Sequence, residues 1–201
     1  MRDRIEDLAH AFTRFPGIGP RQAKRFVYHL LSAPPQERAR LADLVLNLSN
    51  DIRQCGLCMR FAQTNSENLC MYCADTHRDD SVLMIVEKDQ DVAAVERANT
   101  YKGRYFVLGG VLTLSGKGTI RERELVRIVE LRAASGLSEI VLALSATSEG
   151  EHTADRVRQI LTPLRGPMTL TELGRGLSTG AELEYADSTT LSEALRNRKE
   201  T

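Results

Sequence analysis

Apolar residues recur along the first quarter of the chain with helical spacing. Ile5, Leu8, Ala9 and Phe12 fall at i, i+3, i+4 and i+7; Ala23, Phe26, Val27, Leu30 and Leu31 repeat that face; Leu41, Leu44, Val45, Leu48 and Ile52 make a third. The pattern predicts three short helices over residues 4–54 that pack on one another, with Pro34-Pro35 ending the second and starting the third. From Ser81 the pattern changes. Apolar runs at 82–86, 105–108 and 140–144, and a weaker one at 168–170, alternate with amphipathic stretches at 89–98, 121–134 and about 151–164. Val92 and Val95 point inward on the first of these helices, and Leu125, Ile128 and Val129 on the second. Such alternation predicts right-handed βαβ units, hence an α/β fold with a four-stranded parallel sheet and helices on its faces. Residues 176–187 read as a loop leading to a short strand. A terminal helix then begins at Thr190 and ends in Arg196, Arg198 and Lys199, where cations complement the helix dipole.

Between the two patterns lie all four cysteines: Cys55-Gly56-Leu57-Cys58, eleven residues, then Cys70-Met71-Tyr72-Cys73. Two Cys-x-x-Cys knuckles deliver paired sulfurs to one tetrahedral ion, and Zn²⁺ prefers that donor set. The segment 59–69 is too short and polar to fold alone, so metal binding supplies its order. Two disulfides and a rubredoxin-type iron site share the spacing and stay open as alternatives. The charged start Met1-Arg2-Asp3-Arg4 carries no leader pattern, which points to the cytoplasm, where thiols stay reduced. Four cysteine ligands leave no open position, so the site reads as structural.

The connector between the first two helices, Phe15-Pro16-Gly17-Ile18-Gly19-Pro20-Arg21, is the second chemical signal. Gly17 and Gly19 permit a tight turn and close backbone approach, Ile18 anchors the turn, and Pro20 suits the first helical position. Free amides at a helix start bind phosphate. From Thr13 to Leu30 there are four basic residues, Arg14, Arg21, Lys24 and Arg25, and no acidic one. This pattern resembles a helix-hairpin-helix, which grips a nucleic-acid backbone without reading sequence; a plain αα-hairpin with a solvated basic face is the competing reading.

At 201 residues the chain has room for two small domains, and its 42% hydrophobic and 27% charged content is ordinary for a globular protein. Lys plus Arg (27) balance Asp plus Glu (27), so nucleic-acid binding must come from a local patch. The longest aliphatic runs fall far below the ~20 residues that span a bilayer. Gly174, Gly176 and Gly180 do not make a phosphate-binding Walker loop, and His10, His29, His77 and His152 show no ligand spacing.

Ligands on parallel sheets bind at the carboxyl ends of the strands. Glu87 sits at one such end and Glu149-Gly150-Glu151 just beyond another. A Glu after the first strand of such a sheet resembles the Toprim domain of topoisomerases, primases and some nucleases, which pair it with Asp-x-Asp after a later strand to hold Mg²⁺. Here that turn reads Ser145-Ala146-Thr147, without a carboxylate. A Mg²⁺ site for phosphoryl transfer needs clustered carboxylates, so a nuclease or primase activity, or residual Mg²⁺ binding at Glu87, is the disfavoured alternative.

Taken in order, the Pro-Gly-Ile-Gly-Pro hairpin, the four-cysteine finger and the Toprim-like sheet resemble the bacterial RecR family of recombination mediators. The likeness extends through 103–110, 149–154, 182–187 and 190–192. It implies four segments: 1–54 as a helix-hairpin-helix region, 55–78 as a four-cysteine zinc finger, 79–175 as a Toprim domain, and 176–201 as a tail serving assembly. It also implies a non-enzymatic, cytoplasmic DNA-repair role: ring-like homotetramers that encircle DNA and act with RecO and RecF to load RecA at single-stranded gaps. Residue by residue, Arg21, Lys24 and Arg25 with the Gly17 and Gly19 amides are implied as DNA contacts. Cys55, Cys58, Cys70 and Cys73 are implied as ligands to one structural zinc that joins the first and third segments, and Glu149 and Glu151 as a docking surface for RecO. The chain departs from the family pattern at Ser145-Ala146, at Ser178 and Ala181, and in the loop Leu114-Ser115-Gly116-Lys117.

Overall fold

The computed structural model describes residues 3–164 and 166–199, so the charged start at 1–2 and the end of the tail at 200–201 lie outside the described residues. Two compact units make up the chain, residues 1–51 and 52–201. In the first, α1 (Arg4–Phe12), α2 (Pro20–Ser32) and α3 (Pro35–Asp51) match the three helical faces of the sequence. Asp3 caps α1, its side chain accepting from the Ile5 amide at 2.9 Å. Ala9, Ala23 and Val27 form the core between α1 and α2, with Ile5, Phe12 and Ile18 packed against it.

The expectation that all three helices pack on one another is corrected by α3. No residue of it is buried, and Leu41, Leu44, Val45, Leu46 and Leu48 are 44–78% exposed. The α1–α2 pair closes its small core with its own side chains, and the α3 stripe does not close over the apolar residues that pair leaves exposed, Leu8 and Leu31 among them. Arg38 still ties the start of α3 to the end of α2, donating to the Leu30 carbonyl at 3.2 Å and to that of Ala33.

The second unit opens with a hairpin that the pattern did not predict. β1 (Ile52–Gln54) pairs antiparallel with β2 (Phe61–Gln63), Gln54 opposite Phe61, and three-residue strands are too short to register as alternation. A short helix, α4 (Met71–Ala74), carries the second cysteine pair. The main sheet is parallel, in the order β4-β3-β5-β6, built from β3 (Asp79–Val86), β4 (Gly103–Val107), β5 (Glu139–Ala143) and β6 (Thr169–Glu172). The crossovers are α5 (Asp89–Ala98), α6 (Glu122–Ala133) and α7 (Ser148–Leu161), the last extended by one 3-10 turn at Thr162–Leu164. Because the chain leaves β3 for β4 and then returns past it to β5, the strand order reverses between β3 and β5. That switch point is where such sheets open a crevice.

Side chains on β3 and β4 alternate between two cores. Leu83, Ile85 and Phe106 join Leu125, Ile128 and Val129 of α6 and Val157 of α7 on one face. Met84, Val86, Tyr105 and Val107 join Val92 of α5 and all four cysteines on the other. With both faces covered, these strands read as unbroken apolar runs.

The tail differs from its expected form. Residues Leu183–Tyr185 make a 3-10 turn rather than a strand, closed by Tyr185 N–H to the Glu182 carbonyl (3.2 Å) and Ala186 N–H to that of Leu183 (3.3 Å). An extended segment must place its backbone groups on a neighbouring strand, and among the described residues none pairs with it. The helix α8 (Ser188–Arg196) follows, capped by Asp187 and tied back by Asn197 to the Arg175 carbonyl at 2.8 Å.

Near the start of β3, the Asp80 carboxylate accepts from Arg104 (2.7 Å) and Arg132 (3.1 Å), both buried. The Arg104 hydrogen bond holds the Asp80 carboxyl below its ordinary value. A depressed folded value means that the stabilisation is present above the unfolded carboxylate value of about 3.9 and is lost as pH falls through the folded one. Asp80→Asn is therefore expected to cost roughly 1–2 kcal/mol at neutral pH, the half-exposed carboxylate being screened by solvent. Denaturant titrations at pH 7 and pH 3 check this: the difference between variant and wild type should shrink in acid.

Candidate metal centre and nucleic-acid interface

The four cysteines are free thiols, 0%, 1%, 0% and 9% exposed in chain order, with their sulfurs all within 4.8 Å of one another. Cys58 and Cys70 Sγ lie 3.5 Å apart, far beyond a disulfide bond. A tetrahedron with 2.3 Å metal–sulfur bonds has sulfur–sulfur edges of about 3.8 Å, so four soft thiolates at this spacing fit a divalent ion such as zinc. Local turns build the arrangement. In the first knuckle the Met59 amide returns to the Cys55 carbonyl (3.1 Å), which takes Met59 into a positive φ of 62°. In the loop before the second, the Asn65 side chain accepts from the amides of Glu67 (3.0 Å) and Leu69 (2.9 Å), and the Asn68 carbonyl takes the Gly56 amide (2.9 Å). The Cys70 amide points at Cys55 Sγ (3.3 Å). Hydrogen bonds from Cys58, then Cys70 and Cys73, hold the Cys55 thiol far below its ordinary value, and the same sharing pushes Cys58 up.

The finger is continuous with the sheet. The Val107 amide of β4 donates to the Cys58 carbonyl at 2.9 Å, so the first knuckle continues the hydrogen-bonding edge of β4. Met59 packs with the α6–α7 core while the cysteines pack with the α5 core. The finger therefore straddles that edge and covers it. The Phe61 amide of β2 also donates to Asp89 at the start of α5, at 2.8 Å.

In the first unit, the turn between α1 and α2 presents a bare helix start. Gly17 has φ 77°, which favours glycine. Gly19 is extended and caps α2 without a side-chain hydrogen bond, Pro20 follows, and nothing lies within 4 Å of where a Gly19 side chain would begin. The chain's own packing thus gives no reason for glycine at 19, and its absent side chain keeps the α2 amides open to approach from outside. Arg21, Lys24 and Arg25 are all exposed along α2. Lys24 meets Glu6 of α1 at 2.6 Å, and that hydrogen bond raises its pKa. Glu6 lies outside the acid-free stretch 13–30, and only the α1–α2 packing brings it there.

Three family models match the chain: RecR helix-hairpin-helix over residues 5–48, Toprim domain over 81–172, and RecR C-terminal over 176–199. Curated relatives match across nearly the whole length. "Recombination protein RecR" of Mycobacterium leprae is 40% identical over 199 residues, covering 97% of this chain and 96% of that protein. The protein of the same name from Nocardioides sp. is 39% identical over 197 residues, covering 97% and 96%. The chain belongs to the RecR family.

Glu87, at the end of β3 inside the segment that matches the Toprim model, is engaged. Glu87 is 8% exposed, and its Oε1 accepts from the Ser145 amide at 2.7 Å and from the Ser145 hydroxyl. Ser145 opens the turn after β5, so an amide and a hydroxyl from that turn occupy the carboxylate at the end of β3. Among the described residues, the four cysteines are the one group of three or more His, Cys, Asp or Glu side chains close enough to hold an ion. Glu149 and Glu151 sit in the first turn of α7, whose cap Thr147 accepts from the Gly150 amide at 3.1 Å. Glu151 is ion-paired with Arg175, which also reaches Glu172 at 3.8 Å. Gly150 between them is required: a Cβ there would collide with the Ser145 carbonyl oxygen. Sequence reading passed over that constraint, and also Arg104, Arg121 and Arg127, whose side chains end on the knuckles. Arg104 left a readable trace, a charge inside the buried run 103–107.

Because the cysteines share a core with Met84, Val86, Tyr105 and Val107, Cys70→Ser is expected to loosen β4 and α5 before α6 and α7. Hydrogen exchange read by mass spectrometry checks this: protection should fall first in segments 89–107, with a loss of several kcal/mol in their opening free energy.

Proposed function

We propose that this chain is a DNA-binding recombination mediator without catalytic activity of its own, acting in the cytoplasm with RecO and RecF to load RecA at single-stranded gaps. The observation that carries the DNA contact is the bare start of α2, where Gly17 and Gly19 leave the amides open and Arg21, Lys24 and Arg25 stand exposed beside them. Backbone amides and cations together recognise phosphate, and contacts of this kind hold a duplex or strand without reading its bases. The Lys24–Glu6 pair is solvent-exposed and weak, so Lys24 exchanges Glu6 for a phosphate readily.

Cys55, Cys58, Cys70 and Cys73 hold one zinc, whose chemistry is confined to binding four thiolates and fixing the fold around them. The engagement of Glu87 by Ser145 supports a non-catalytic Toprim domain, since a phosphoryl-transfer site needs free carboxylates around Mg²⁺. Glu149 and Glu151 form the RecO-docking face, with Glu149 the freer carboxylate because Glu151 is shared with Arg175. In working terms the chain divides into residues 1–54 for DNA, 55–78 for zinc, 79–175 for partners and 176–201 for assembly.

Assembly as a homotetramer is supported by the first unit. An apolar groove of about 640 Å³ runs between α3 and the α1–α2 pair, walled by residues such as Leu8, Phe12, Leu31, Leu41, Val45 and Leu46. The α3 stripe of Leu41, Leu44, Val45, Leu46 and Leu48 stays exposed beside that groove, and an unpartnered apolar face of this kind suits a subunit interface; a ring retains DNA by closure, which suits a chain of zero net charge. Among the described residues no helix is long and apolar enough to cross a membrane.

Two measurements test this reading. Lys24→Glu combined with Arg25→Glu should weaken DNA binding and flatten its salt dependence, each lost phosphate contact lowering the slope of log K against log salt by about 0.7–0.9; an unchanged slope removes α2 from the interface. Val45→Glu should shift the sedimentation mass toward a single chain while the α1–α2 core stays folded, and a wild-type mass equal to one chain, with and without DNA, contradicts the ring.

A further inference from the structure

We propose that Arg104, Arg121 and Arg127 are positioning residues of the metal centre, a role that rests on the reading of the four cysteines as a zinc site. Each comes from the sheet or from α6 and its lead-in, and each directs its guanidinium at the backbone of a knuckle. Arg104 of β4 donates from Nη1 to the carbonyls of Tyr72 (2.8 Å) and Cys73 (3.2 Å) while its Nε holds Asp80. Arg121, immediately before α6, donates from Nη1 to the carbonyls of Met59 and Val107, both at 2.9 Å. Arg127 of α6 donates from Nη2 to the Gly56 carbonyl at 3.0 Å. The second knuckle is thus held by Arg104 and the first by Arg121 and Arg127, with the Val107 amide on the Cys58 carbonyl between them.

The need for these donors follows from knuckle geometry. A knuckle amide turns inward toward sulfur, as Cys70 N–H does toward Cys55 Sγ, which leaves carbonyls facing away from the metal. Those of Gly56, Met59, Tyr72 and Cys73 point at groups that must donate. Arginine supplies a planar fork that stays protonated at any pH the fold survives. Four thiolates around a divalent ion also carry net negative charge, and fixed cations beside the ligands favour its retention. Metal affinity is thereby set by the Toprim sheet as well as by the cysteines.

Metal release into a chromogenic chelator, and the visible spectrum of the cobalt-substituted protein, test the proposal on the full chain. The variants are Arg104→Lys and Arg121→Lys, which keep the charge but lose the fork, and Arg127→Ala. Arg123→Ala, on the same helix, is the control. Outer-shell partners typically change metal retention by about 10- to 100-fold, so release should quicken by that range in the two lysine variants and several-fold in Arg127→Ala. The ligand-field and charge-transfer bands of cobalt should move in the lysine variants and stay fixed in the control. Should the two lysine variants fail to fold, Arg127→Ala against Arg123→Ala decides. Folded variants with wild-type release rates and cobalt bands overturn this role and leave the zinc reading standing; a wild-type chain that retains no metal overturns both.

Discussion

A parallel sheet must bury both of its faces and protect its edges, and in the second unit the four-cysteine finger answers both demands at β4. One face of β3 and β4 has α6 and α7 to cover it. The other has α5, too little for Met84, Val86, Tyr105 and Val107 together, and the cysteine knuckles complete that core. The same knuckles close the β4 edge through the Val107–Cys58 hydrogen bond. The cysteine loop is therefore a structural layer of the sheet. Arginines from β4, from α6 and from the residue just before α6 end on its carbonyls.

Much of this architecture was legible in the sequence because burial on two faces writes apolar runs, and the stretches 82–86, 105–108 and 140–144 that lie in or extend β3, β4 and β5 are such runs. The three N-terminal helices were legible for the complementary reason, a repeating one-sided stripe. What periodicity does not encode is whether a stripe has a partner. Leu44 and Val45 repeat as regularly as Ala23 and Val27, yet the first pair is exposed and the second buried, because only packing decides which faces meet. The β1–β2 hairpin escaped for want of length, and the tail strand was misread because a strand needs a neighbour, and among the described residues none lies beside Leu183–Tyr185.

The chemical sites were legible to unequal depth. Two Cys-x-x-Cys pairs announce a tetrahedral site whatever surrounds them, and the fold brings the four sulfurs together with no adjustment to that reading. The acid-free stretch from Thr13 to Leu30 was real but incomplete, since Glu6 arrives at Lys24 through helix packing rather than through sequence proximity. At the strand ends, the absence of Asp-x-Asp could be read directly, whereas the use made of Glu87 could not. A buried carboxylate needs hydrogen-bond donors, and the serine in the vacated turn provides two.

That last exchange links the sheet's crevice to the face beyond it. Glu87 fixes Ser145, and the Ser145 carbonyl in turn crowds the start of α7 so closely that only glycine fits at 150. Thr147, two residues after Ser145, caps the same helix. The position of Glu149 and Glu151 on the surface is consequently set by a carboxylate at the strand end. The buried Glu87 side chain thereby orients a loop and a helix start through Ser145.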